Sequence, residues 1–86
     1  MLTDLLRSSD VETRRAAVRA VLHVGTKEAI VPLKYALLDS DRQVRFCAAL
    51  GLAKVTGQRD WELNMDMFDA DEEKYLSHWK DYSEPR

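Results

Sequence analysis

A shift of 31 residues lays the chain over itself. Leu2, Leu6, Ser9, Asp10, Arg14, Ala17 and Val24 then fall on Leu33, Leu37, Ser40, Asp41, Arg45, Ala48 and Val55, seven identities in 26 aligned positions. A period of this size marks stacked supersecondary units, each too small to bury its own apolar face and therefore completed by its neighbour. Such an array offers surface rather than a reaction centre, so the sequence constrains architecture more tightly than task.

The pattern within each unit is helical. Ser9 or Asp10 can cap a helix starting at Val11, because a side-chain oxygen there accepts from an otherwise unpaired amide of the first turn. Ala17, Val21 and Val24 form one stripe and Val18 and Leu22 a second, an apolar arc wide enough for neighbours on both sides, and Gly25 supplies the stop. The spacing of Ile30, Leu33 and Leu37, flanked by Val31 and Leu38, predicts a helix over 28–38 with Pro32 in its first turn, where a missing N–H does least harm. Asp39-Ser-Asp41 then opens a third helix running through Val44, Ala48, Leu52 and Val55 to Thr56-Gly57, and Ala48, Ala49, Gly51 and Ala53 let another helix approach closely. The expected fold is all-α, an α-α superhelix of about two short repeats over residues 1–57, followed by a degenerate repeat and C-terminal capping helix over 58–86.

That last segment differs in charge and composition. Residues 1–57 carry nine Lys/Arg and six Asp/Glu, whereas 58–86 carry four and nine, so a basic body meets an acidic tail that is expected to fold back on it. Asp69-Ala-Asp71 echoes Asp39-Ser-Asp41, and the helix expected over 71–82 holds Tyr75, Leu76, Trp79 and Tyr82 where a full repeat holds small aliphatics. A terminal unit has to cover the last apolar face and show a polar one to water. Trp61, Leu63, Met65, Met67 and Phe68 are expected to lie over the same end of the stack.

The two segments Leu6-Arg-Ser-Ser-Asp10-Val-Glu-Thr-Arg14-Arg-Ala-Ala17 and Leu37-Leu-Asp-Ser-Asp41-Arg-Gln-Val-Arg45-Phe-Cys-Ala48-Ala-Leu-Gly51 resemble HEAT repeats, in particular the short type of phycobilisome-lyase-related proteins. The second copy matches the family pattern closely; the first has Thr13 in place of the valine and Ala20-Val21 in place of Leu-Gly. The resemblance implies structural roles for Asp10 and Asp41 as helix caps and for Arg14 and Arg45 as partners of a neighbouring repeat's aspartate; their four-residue spacing puts each pair on one helical face. It implies no one activity, because this fold serves scaffolds and a few enzymes alike. Di-iron hydroxylases with this repeat bind metal through His-Glu pairs, but here His23 precedes Val24 and His78 precedes Trp79.

Candidate chemistry is sparse, and neither cofactor nor metal is expected. Asp60, Glu62, Asn64 and Asp66 alternate as in a calcium loop, but Met65 stands where the sharp turn requires glycine. Cys47 is the single cysteine, which excludes an internal disulfide, and it aligns with Ala16 in a small-residue position expected to be buried and inert. No apolar run approaches the ~20 residues of a membrane span and Met1 to Arg7 lack the features of a secretion signal, so the expectation is a cytoplasmic protein with no membrane partner.

The functional expectation is a non-catalytic protein-binding scaffold that uses the face lined by second helices, with Glu28, Lys34, Tyr35 and Arg42 as contacts and Tyr35 as the anchor. At the N-terminal end Leu2, Leu5 and Leu6 lack an obvious cover, which points to a longer solenoid or to a homodimer by two-fold pairing. One alternative is nucleic-acid binding, as in HEAT-like DNA glycosylases, through Arg14, Arg15, Arg19, Lys27 and Arg42; the acidic tail and a pI near 5.6 disfavour it. Another is a part of a bilin lyase, which the resemblance brings with it.

Overall fold

Asp10 opens the first helix by accepting hydrogen bonds from the Thr13 amide at 3.1 Å and the Thr13 hydroxyl at 2.7 Å, and these donors hold its carboxyl below the usual carboxylate range. The computed structural model describes residues 5–24 and 26–82. Among these residues five α-helices follow one another: α1 Val11–Val24, α2 Ile30–Ala36, α3 Arg42–Thr56, α4 Met65–Ala70 and α5 Glu72–Lys80, with short 3-10 turns at Lys27–Ala29 and Arg59–Trp61. No strand occurs among the described residues.

Local chemistry accounts for the boundaries. The helix expected over 28–38 is split into the 3-10 turn and α2. Pro32 is the third residue of α2, inside the first turn whose amides have no intrahelical acceptor. The Asp41 side chain accepts from the Val44 amide at 3.2 Å to begin α3, and Gly57 ends it at φ 73°, a left-handed conformation that costs glycine nothing. Asn64 opens α4 by accepting from the Met67 amide at 2.8 Å. The expected stop at Gly25 lies outside the described residues.

α1 packs along α3, α2 sits against both of them, and α5 continues the layer on the far side of α3, with α4 packed on α5. The thinnest dimension of the molecule, 19 Å, is that of two helix layers at ~10 Å each. The 31-residue period is written in the core: Leu6, Leu37 and Phe68 are buried in register, as are Ala17, Ala48 and Trp79, and Val44 is succeeded by Tyr75. Small residues occupy the interior positions because helices press on them from both sides. Large aromatics occupy the last positions because there each side chain must fill its own space. Phe68 meets Phe46 edge-on at 5.7 Å, and Trp79 meets Tyr82 edge-on at 5.5 Å.

Met67 departs from the expected apolar cover and is 42% exposed. Expecting Trp61, Leu63, Met65 and Met67 on one side assumes alternation, but α4 turns ~100° per residue, so placing Phe68 inward turns Met67 outward.

The tail's carboxylates reach the basic body. Arg42 pairs with Asp69, Arg45 with Glu72 at 3.3 Å and Lys54 with Glu62 at 3.7 Å. His78 stacks flat on Trp61 at 3.6 Å, with its Nε2 2.9 Å from Gln58 Oε1, and burial pushes its pKa down. The unfolded chain therefore binds a proton at this site more readily than the folded one. Stability should fall as pH drops below the ordinary histidine range and on through the lower folded value. Thermal melts from pH 7.5 downward should show this loss, and His78→Gln should flatten it; a slope identical in both proteins would remove His78 from the acid response.

Candidate interaction surface

α2 and the turn that closes it carry two apolar stripes. Ile30, Leu33 and Leu37 turn inward and are at most 5% exposed, whereas Val31, Tyr35 and Leu38 stand 77%, 49% and 68% exposed. At ~100° per residue the two stripes lie ~130° apart, too far for one packed face to cover both. Val31 and Leu38, expected only to flank the buried stripe, thus join Tyr35 at i, i+4 and i+7 on the outer surface. The sequence held this signal: after the inward stripe is assigned, these three remain at helical spacing.

The guanidinium of Arg7 lies over the Tyr35 ring, 5.4 Å from its centroid. Beside it runs an open cleft lined by Leu6, Arg7, Arg14, Tyr35, Leu38 and Asp39. Its floor is rigidly tied. Arg14 Nε donates to Asp39 at 3.0 Å and Nη1 to the Ser8 carbonyl at 2.8 Å; the second carboxylate oxygen of Asp39 accepts from the Asp41 amide at 2.8 Å. Arg45 repeats the motif one period later, donating to the carbonyls of Asp39 and Ser40 at 3.0 Å, but its carboxylate partner is Glu72 of the tail and not an aspartate.

Other residues singled out from the sequence are placed differently. Lys34 is half-buried and donates to the Tyr82 carbonyl, so it braces the residues just after α5 against α2. Arg42 is on α3, exposed but paired with Asp69, away from the cleft lining. Glu28 is exposed in the 3-10 turn that leads into α2. Leu6 contradicts its expected place on an open self-association face: it is 3% exposed and packs in the core in register with Leu37 and Phe68. Leu5 is 44% exposed, and Leu2 lies outside the described residues.

The cation set considered for nucleic acid is largely engaged. Arg15 grips Asp41 with two hydrogen bonds, at 3.0 and 2.9 Å, which raises the guanidinium pKa and lowers that of the carboxyl. Arg14 and Arg42 are paired as described, which leaves Arg19 and Lys27 as the exposed members of the set that carry no ion pair among the described residues. The Arg15 clasp was missed from sequence because its partner lies 26 residues away; only the packing of α1 along α3 brings the two together.

Cys47 is half-buried and burial pushes its thiol pKa up, away from thiolate chemistry. No group of three or more metal-ligating side chains gathers among the described residues.

A two-layer stack of helices in a 31-residue register, with an aspartate cap at Asp10 and again at Asp41 and an arginine clasp at Arg14 and again at Arg45, has its counterpart among known families. The sequence matches the family of HEAT repeats over residues 1–79. The chain belongs to the HEAT-repeat family. The match is to HEAT repeats at large and does not single out the phycobilisome-lyase-related type. It runs well past residue 57, through the aromatic end of the HEAT-repeat stack to Trp79. No curated protein and no solved structure matched the chain significantly. HEAT repeats are commonly protein-interaction scaffolds. No helix among the described residues is long and apolar enough to cross a membrane.

Proposed function

We propose that this chain is a non-catalytic protein-interaction module whose contact surface is the outer face of α2, with Tyr35 as the anchor. The observation that carries the reading is the exposed trio Val31, Tyr35 and Leu38, two side chains on α2 and one in the turn that ends it, opposite the buried Ile30, Leu33 and Leu37. Tyrosine supplies a broad rigid surface with a polar tip, and such residues dominate interface energies when neighbouring side chains exclude water around them. Arg7 and Glu28 lie at the margins of this surface, and Lys34 fixes its edge. Residues 58–86 act in this reading as the worn terminal repeat, holding the scaffold closed at one end so that the α2 face stays rigid.

A photo-crosslinking residue substituted for Tyr35 tests this directly. In extract from the source cells it should give discrete crosslinked products that disappear on adding Leu38→Glu. The same residue at Glu73, on the exposed side of α5, should give none of them. Equal yields from both positions, or none at 35, would remove α2 as the binding face. Light scattering over a concentration series separates a foreign partner from a second copy.

A further inference from the structure

Resting on that reading, we propose that the occupant of the α2 face is an acidic amphipathic helix, one that sets apolar residues at i, i+4 and i+7 against Val31, Tyr35 and Leu38 and a carboxylate against Arg7. The trio spans seven residues, ~10 Å along the axis, the same distance that three successive anchors of an opposing helix cover. An extended strand would present alternate side chains every ~7 Å and fit this spacing poorly.

Charge decides the sign of the partner. Elsewhere the basic body is neutralised by the tail, through Arg42 with Asp69, Arg45 with Glu72 and Lys54 with Glu62. In the cleft floor Arg14 and Asp39 neutralise each other. Among the described residues of the body that leaves three exposed cations without an ion pair, Arg19 on α1, Arg7 over Tyr35 and Lys27 one turn before Val31; the last two set positive charge beside the trio, and Glu28 is an exposed acid next to Lys27. A guanidinium held beside an aromatic ring presents a planar fork of N–H donors, and a carboxylate fits that fork with two parallel hydrogen bonds. The α2 face therefore pairs an apolar strip with a cation at the level of its middle anchor.

The probes are two synthetic helices of about 16 residues with leucines at identical i, i+4 and i+7 positions, one flanked by glutamates and one by lysines. Each is labelled and titrated with the full chain by fluorescence anisotropy. The glutamate peptide should bind at least about tenfold more tightly at low salt, with the gap narrowing as salt screens it. Arg7→Glu should reverse the preference, Arg7→Gln should abolish it, and Leu38→Glu should remove binding of both peptides. Both positions are exposed, so unchanged circular dichroism melts serve as the folding control. Equal binding of the two peptides, or a preference that survives Arg7→Glu, overturns the proposal. So does a dimer of the chain that Leu38→Glu dissociates, because the face is then filled by a second copy. If neither peptide binds while the crosslinks from position 35 persist, the acidic helix is wrong and the binding face stands; if those crosslinks fail as well, the interaction reading itself fails.

Discussion

Trp79→Ala should cost about 3–5 kcal/mol, the largest loss expected from any truncation in this chain. Trp79 has no exposed surface, lies in register with Ala17 and Ala48, and contacts His78 and Tyr82 edge-on. A domain of this length holds ~4–13 kcal/mol in total at ~0.05–0.15 kcal/mol per residue, so the substitution removes a large share of the stability. The melting temperature should drop by ~15–30 °C, at several degrees per kcal/mol for a domain of this size. Trp79→Phe supplies the sharper comparison. The indole Nε1 is buried with no hydrogen-bond partner among the described residues, and an unsatisfied donor costs ~1–3 kcal/mol; phenylalanine removes that penalty while keeping most of the apolar contact. Urea unfolding followed by circular dichroism should place Trp79→Phe within about 1 kcal/mol of the parent and Trp79→Ala far below it. If alanine and phenylalanine were equally mild, the aromatic end would be an appendage and not part of one core.

Gly51→Leu is expected to be nearly as damaging, by crowding rather than by loss. A Cβ built on Gly51 comes 3.0 and 3.1 Å from the Leu33 methyls and 3.2 Å from Leu22 Cδ1, so side chains of α1 and α2 close on α3 at this residue. Leu33 is wholly buried, so it can yield only slightly. A leucine there forces the helices apart, at the top of the ~1–3 kcal/mol range for overpacking or beyond it. Gly51→Ala separates the two opposing effects. Alanine gains ~1 kcal/mol of helix propensity over glycine, and the few tenths of an ångström that Leu33 must yield offset it. The expected result is a melting temperature for Gly51→Ala within a few degrees of the parent beside a severe loss for Gly51→Leu. A stabilised Gly51→Leu protein would show that the contact of α3 with its neighbours is loose.

Much of this architecture can be read from the chain before folding. Asp10 and Asp41 announce helix starts because capping is local chemistry, settled within three residues. Gly57 announces a stop for the same reason. The small residues around Gly51 announce a close approach, although not which side chains approach. Helix α4 escaped notice because six residues give too little periodicity, and an acidic stretch that alternates with apolar residues suggests extended chain until Asn64 caps it. Leu6 was misplaced because one missing neighbour looks the same in sequence whether the side chain is exposed or covered by residues one period ahead.

The interaction surface divides in the same way. Tyr35 stands out in sequence as an aromatic among charges, but Val31 and Leu38 look like core until Ile30, Leu33 and Leu37 are seen to fill the only packed side of α2. The sequence by itself determined the helical repeat, its 31-residue period, its caps and its aromatic terminus, because those depend on spacing along one helix and on chemistry within a turn or two. Only the tertiary structure decided which of two apolar stripes faces water, that Arg15 clasps Asp41, and that the tail neutralises one part of the basic body while Arg7 is left above Tyr35. Those outcomes depend mostly on residues 26 to 28 positions apart being brought into contact, and no local rule fixes which pairs meet.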